Sequence, residues 1–183
     1  MTGAAPNPGG TPRGPAADAH AALASVWRAL ATVVDPEIPL VSIVELGIVR
    51  GVARERDEWT ITLTPTYSGC PATRVIENDV RAAVFAAIGA DARIVTALTP
   101  AWSTDWIAPE ARRKLRAAGI APPHPLEAAD ASRPLAFHRA VPVRCPNCGS
   151  LRTSELSRFG STACKAQYRC ADCLEPFDYF KAH

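Results

Sequence analysis

The chain has 183 residues, of which 48% are hydrophobic and 21% charged, and 20 Lys and Arg against 18 Asp and Glu give a net charge of +2. That size fits one ordinary domain or a domain of roughly 100 residues with a small appendage, and the composition excludes wholesale disorder. No apolar run reaches the roughly 18 residues of a membrane span. Residues 1–17 hold no apolar stretch between a basic start and a cleavage site, so a cytoplasmic protein with no membrane association is expected. The charge excess is small and sits at the C-terminal end, too weak for a nucleic-acid footprint.

The first 17 residues include four Pro and four Gly and almost no large apolar side chain, so this tail is expected to be disordered. From Asp18, placed to cap a helix, Leu23, Val26, Trp27, Leu30 and Val33/Val34 recur at helical spacing. Asp35-Pro36 is predicted to end that helix, because a residue before proline is pushed out of the helical region. Residues 48–54 and 59–65 read as two strands joined by a polar turn at Glu55–Glu58. In the second, Trp59, Ile61 and Leu63 alternate with threonines, as in a half-buried strand.

Thr66–Cys70 reads as a polar loop. Pro71 opens a helix whose buried stripe is Val75, Ile76, Val80, Ala83, Val84, Ala87 and Ile88, with Gly89 as its C-terminal cap. A third strand is predicted over Arg93–Leu98, then an aromatic loop with Trp102 and Trp106. A short basic helix follows from Pro109 to Ala118, closed by Gly119. Residues 121–140 are proline-rich and aperiodic, an extended linker. The reading is an α/β (α+β) protein: residues 18–120 form a small mixed three-stranded sheet packed with helices, and residues 141–183 form a small β-rich, four-cysteine module.

Cys70 stands apart, whereas Cys145, Cys148, Cys164, Cys170 and Cys173 are clustered, a pattern that favours metal ligation or thiol chemistry over disulfides. Cys145-x2-Cys148 and Cys170-x2-Cys173 form two knuckles that together offer the tetrahedral thiolate shell zinc prefers; four thiolates also suit iron or an iron-sulfur cluster, and spacing does not separate these. Gly149 follows the first knuckle, where it lets backbone N–H groups approach the sulfurs. Leu174 in the equivalent place predicts a less regular second turn. Tyr168, Phe177, Tyr179 and Phe180 are expected to pack around the metal lobe rather than stack on bases.

Cys164 is a fifth thiol in a module that needs four. It is either a small buried hydrophobe or a reactive thiol whose pKa the adjacent Lys165 lowers. Cys70, just ahead of a helix N-terminus, is either an inert packing residue or a thiolate favoured by the helix dipole. No histidine stands near it in sequence. Asp35 and Glu37 are turn and cap residues, or a carboxylate pair able to hold a metal or move a proton. No phosphate-binding glycine loop, serine elbow or dinucleotide fingerprint occurs, so an autonomous enzyme finds little support.

Asp35-Pro-Glu-Ile-Pro39, Glu45-Leu-Gly47 and Leu63-Thr-Pro-Thr-Tyr-Ser-Gly-Cys-Pro-Ala72 resemble the signature of the SufT-like family, small α/β proteins of iron-sulfur cluster maturation. Trp102-Ser-Thr-Asp-Trp-Ile107, Phe159-Gly-Ser-Thr-Ala-Cys-Lys165, Glu175-Pro-Phe-Asp-Tyr-Phe-Lys181 and the two CxxC pairs resemble the PaaD (PaaJ) family of the bacterial phenylacetyl-CoA epoxidase system. That resemblance implies an accessory role in aerobic phenylacetate degradation, assisting assembly or insertion of the iron-sulfur cluster of the reductase component. It implies reductase and oxygenase components as partners.

Carried over by position, the resemblance makes Cys145, Cys148, Cys170 and Cys173 structural zinc ligands. It makes Cys70, with Asp35 and Glu37, a candidate for transient iron or cluster binding, and raises Cys164 to the same standing. The competing classes are a zinc-binding adaptor that docks the multicomponent monooxygenase, and a zinc-ribbon nucleic-acid binder that the charge distribution disfavours. Homodimerisation through the first domain is compatible with the sequence but has no residue-level support.

Overall fold

The computed structural model describes residues 15–67, 69–124 and 142–181. Residues 1–14 of the expected tail, Ser68 and residues 125–140 of the expected linker lie outside the described residues.

α1 (Pro15–Leu30) starts three residues ahead of the cap expected at Asp18. Proline suits a first helical turn, because the N–H it lacks would have no intrahelical partner there and its φ is already helical. Val26 and Leu30 of the apolar face are fully buried. The helix stops at Leu30, well before Asp35-Pro36, as Thr32 N–H and Val33 N–H turn back to the carbonyls of Ala29 and Leu30. Residues 33–48 then fold on themselves: Asp35 N–H donates to Val41 O and Ile43 N–H to Val33 O, both at 3.0 Å, with Ile38, Val41, Ile43, Leu46 and Ile48 buried.

β1 (Val49–Glu55) and β2 (Glu58–Leu63) form an antiparallel hairpin, and β3 (Ala92–Thr96) adds in parallel to β2. The sheet is therefore mixed and three-stranded, in the order β1-β2-β3. α2 (Thr73–Ile88) is the crossover that a parallel β2–β3 pair requires. It packs against α1, with Ile76, Val80 and Val84 buried, and Gly89 ends it by donating to Phe85 O at 2.8 Å. Trp59, Ile61 and Leu63 point into the core, so the alternation read in the sequence sets the buried face of β2.

After β3 come a single 3-10 turn at Thr104–Trp106 and α3 (Pro109–Ala117). This segment clamps the Glu45-Leu-Gly47 turn. Trp102 Nε1 donates to Leu46 O at 2.9 Å, Ala108 N–H to Glu45 O at 2.8 Å, and Lys114 Nζ pairs with Glu45 at 2.7 Å. Gly47 sits at φ +71°, and a Cβ there would lie 2.6 Å from Trp106 Cβ and 2.8 Å from its carbonyl oxygen, so only glycine lets the two backbones meet.

The C-terminal module contributes β5 (Thr153–Ser157), β6 (Lys165–Cys170) and β7 (Pro176–Phe180). A fourth strand joins them from the first half of the chain: β4 (Ile120–Ala121) pairs in parallel with β7, giving the order β4-β7-β6-β5. Ala121, the first residue of the expected linker, thus lies in the edge strand of the ribbon sheet; two residues are too few to carry a strand periodicity. Tyr168, Phe177 and Tyr179 pack on the metal lobe as expected. Phe180 does not: together with Cys164 it enters the main core, edge-on to Trp102 with ring centroids 6.0 Å apart. Among the described residues no helix is long and apolar enough to cross a membrane.

Candidate functional site

Two clusters of thiols emerge. In the ribbon, Gly149 N–H closes the first knuckle on Cys145 O at 3.0 Å, and Cys170 N–H closes the second on Glu175 O at 3.1 Å. Gly149 and Leu174 adopt the same left-handed conformation, φ +78° and +66°, so the two knuckles turn alike at this position. An exposed leucine tolerates the local strain because the knuckle geometry dictates it.

The four sulfurs lie within 4.8 Å of one another, with Cys145···Cys173 at 3.7 Å and Cys148···Cys170 at 3.5 Å. A tetrahedron with metal–sulfur bonds of about 2.3 Å has edges of about 3.8 Å, so the donor set fits a four-thiolate metal ion. The backbone N–H of Cys173, and after it that of Asp172, hold the Cys170 thiol well below its ordinary range, at about 6, against the effect of burial. Asp172 N–H lies 3.4 Å from Cys170 Sγ. Such N–H···S contacts stabilise a ligating thiolate.

The second cluster joins the Asp35–Ile38 turn, the Tyr67–Ala72 loop and the ribbon. Asp35 is buried, and one carboxylate oxygen accepts Glu37 N–H at 2.9 Å and Ile38 N–H at 2.8 Å. Burial, the largest influence, raises its pKa despite these two bonds. The turn they build sets Glu37 where its Oε2 accepts a hydrogen bond from Cys164 Sγ at 3.3 Å, across 127 positions of sequence. Thr162 Oγ1 lies 3.1 Å from the same sulfur. Burial first, and then the contact with Glu37, pushes the Cys164 thiol up to about 12.

Cys70 is half-buried in the loop before α2, its carbonyl accepting from Thr73 Oγ1 at 2.9 Å. With Asp35, Thr66, Thr73 and four apolar side chains it lines a cavity of about 10 Å³, room for one water-sized sphere. The helix dipole does not prevail at this thiol. Cys70 lies outside the first turn of α2, and although Ala72 N–H favours the thiolate, burial and the Glu37 and Asp35 carboxylates raise the pKa instead.

Lys165, the cation invoked in one of the two readings of Cys164, is buried and directed to Asp178 at 3.6 Å. Tyr67 is a member of this cluster that sequence reasoning left in the background. Its pKa is raised, by burial first and then by the nearby Cys70, Glu37 and Cys164. Asp35, Glu37, Cys70 and Cys164 are thus brought into one neighbourhood, but among the described residues only the four ribbon thiols form a ligand set already drawn within 4.8 Å.

Two family models match the chain. The model described as the PaaD zinc beta ribbon domain matches residues 129–181, and the one described as an iron-sulfur cluster assembly protein matches residues 23–96. An Escherichia coli protein whose name makes it a subunit of 1,2-phenylacetyl-CoA epoxidase is 47% identical over 156 residues, covering 85% of this chain and 90% of that protein. An Fe-S protein maturation auxiliary factor of Porphyromonas gingivalis is 38% identical over 92 residues, 49% of this chain and 87% of its own length. Among solved structures, a domain of unknown function (DUF59) from Bacillus anthracis is 30% identical with a TM-score of 0.49, covering 52% of this chain and 92% of that domain.

Proposed function

The chain belongs to the PaaD family of 1,2-phenylacetyl-CoA epoxidase subunits, and from that premise we propose that it is a cytoplasmic accessory subunit of phenylacetate degradation, one that helps assemble or insert the iron-sulfur cluster of the epoxidase's reductase component. The observation that carries this reading is the contact of Cys164 with Glu37 beside Cys70. It unites the two thiols outside the ribbon's four-cysteine set with the acidic turn, at the junction of the two segments that the family models match.

The four ribbon thiols hold a structural zinc ion, which supplies folding energy rather than reactivity. Burial keeps Cys70 and Cys164 protonated until an iron ion or cluster arrives as cargo and displaces their protons. The carboxylates of Glu37 and Asp35 offset the incoming positive charge. Transfer to cysteines of the reductase is then an exchange of thiolate ligands that needs no electron. Replacing Cys70 with Ser in cells that also make the reductase tests the reading: the fold stays intact, and cluster occupancy of the reductase falls severalfold. Unchanged occupancy sinks it.

A second reading, a zinc-binding adaptor that docks the oxygenase and reductase components, is favoured by the burial of Cys164 and its thiol pKa of about 12, properties of an inert packing residue. Metal analysis of anaerobically isolated protein separates the two. The adaptor carries zinc alone and has no visible absorption, whereas the transfer protein takes up iron in a form that depends on Cys70.

A further inference from the structure

We propose that metal binding at the four ribbon thiols holds Cys164 against Glu37, so that the second thiol cluster is complete only in protein whose ribbon is metal-loaded. This rests on the reading of Cys70, Cys164, Asp35 and Glu37 as one site and assigns its regulation to the ribbon.

β6 connects the two clusters. Cys170, a ribbon thiol, is its last residue, and Cys164 immediately precedes its first, Lys165. The Cys164 backbone is placed by ribbon elements. Its carbonyl accepts Lys181 N–H at 3.0 Å, just beyond β7, and the preceding loop is pinned by Gly160 N–H to Lys165 O at 2.8 Å and Lys165 N–H to Thr162 O at 3.1 Å. Asp178 on β7 gathers the same loop by accepting from Ser161 Oγ at 3.1 Å and pairing with Lys165. On the first-domain side Cys164 Sγ meets Glu37, and Phe180 two residues further along β7 meets Trp102. The thiol therefore takes its position from the ribbon sheet and is presented to the acidic turn.

That sheet depends on the metal. The buried residues of the ribbon core are Ala121, Val143, Cys145, Cys170 and Phe177, and two of the five are metal ligands. Without the ion, that core keeps three buried apolar side chains, and Ala166 on β6 and Phe180 on β7 are the other buried apolar residues on the three strands, far below what a module of this size needs. Loss of the ion frees β6 and withdraws Cys164, while Asp35, Glu37 and Cys70 stay on the first domain.

The test is alkylation of Cys164 by iodoacetamide in the full chain, mapped by peptide mass spectrometry, in zinc-loaded protein, after removal of the ion by a chelator, and after zinc is restored. Cys164 is 4% exposed in the structure, and in the loaded protein it is expected to be protected. Stripping raises its alkylation rate about tenfold or more, zinc restores protection, and amide exchange shows α2 still folded. Equal protection of Cys164 in stripped and loaded protein, with α2 folded, overturns the proposal. Should stripping unfold α2 as well, Cys148→Ser decides. That variant loses one exposed ribbon thiol and leaves the first-domain core untouched, and it is expected to raise the alkylation of Cys164; a Cys164 as protected as in the parent overturns the proposal. Alkylation does not depend on iron delivery, so a reductase cluster indifferent to Cys70→Ser refutes the transfer reading while leaving this coupling standing.

Discussion

Asp35 offers the sharpest test of how the acidic turn works. Its Oδ1 is the acceptor for Glu37 N–H at 2.9 Å and Ile38 N–H at 2.8 Å. In Asp35→Ala both donors lose that oxygen. Ile38 N–H keeps the Asp35 carbonyl at 3.2 Å, so the orphan is Glu37 N–H, and leaving one such group unpaired costs about 1–3 kcal/mol. Asp35→Asn retains an oxygen in the same place and removes the buried charge, so at neutral pH it is expected to be as stable as the parent or slightly more so.

The two substitutions also separate geometry from charge. Burial raises the folded pKa of Asp35 above its ordinary value of 3.8, which means the folded state binds the proton more readily than the unfolded chain does. The stability from this group is complete below the ordinary value and is lost as pH rises through the folded one. The parent therefore gains on Asp35→Asn as the solution is acidified from neutrality toward the ordinary carboxylate range. Urea unfolding of the three proteins across that range measures both effects. An Asp35→Ala protein as stable as the parent, or a parent that loses ground to Asp35→Asn on acidification, refutes the reasoning.

Gly47→Ala forces a side chain into a left-handed backbone and against Trp106; about 1–2 kcal/mol for the conformation and about 1–3 for overpacking give a loss of roughly 2–5 kcal/mol in thermal or urea unfolding, and a loss below about 1 contradicts the account. Leu174→Gly relieves a strained, exposed residue at φ +66° and is expected to stabilise the metal-loaded protein by about 0.5–1 kcal/mol, read from its unfolding midpoint. Cobalt(II) added to metal-free protein is expected to bind the ribbon with thiolate-to-metal charge-transfer and tetrahedral ligand-field bands, and Cys148→Ser weakens binding and lowers the charge-transfer intensity as four thiolates become three; affinity and intensity both unchanged in the variant place the ion elsewhere.

What could be read from the residues is what depends on near neighbours in the chain. The alternation of Trp59, Ile61 and Leu63 specifies a strand with one buried face, Gly89 marks a helix end, and two CxxC pairs specify a ligand set because each knuckle is closed by its own local hydrogen bonds. At Cys70 and Cys164 the sequence left two readings open, because a helix N-terminus and an adjacent lysine are visible locally whereas burial is not. The structure sets desolvation against both and turns Lys165 to Asp178.

The largest addition is topological. The two-residue β4 stitches the first domain to the ribbon, Phe180 crosses into the main core, and Cys164 meets Glu37 from 127 positions away. Periodicity and spacing describe a chain along its own length, and no local pattern encodes a contact whose partners are chosen by the packing of two separately formed sheets. The amino-acid sequence by itself identified which thiols belong to the ribbon and which two were left over; only the tertiary structure decided that the leftover pair stands in one place.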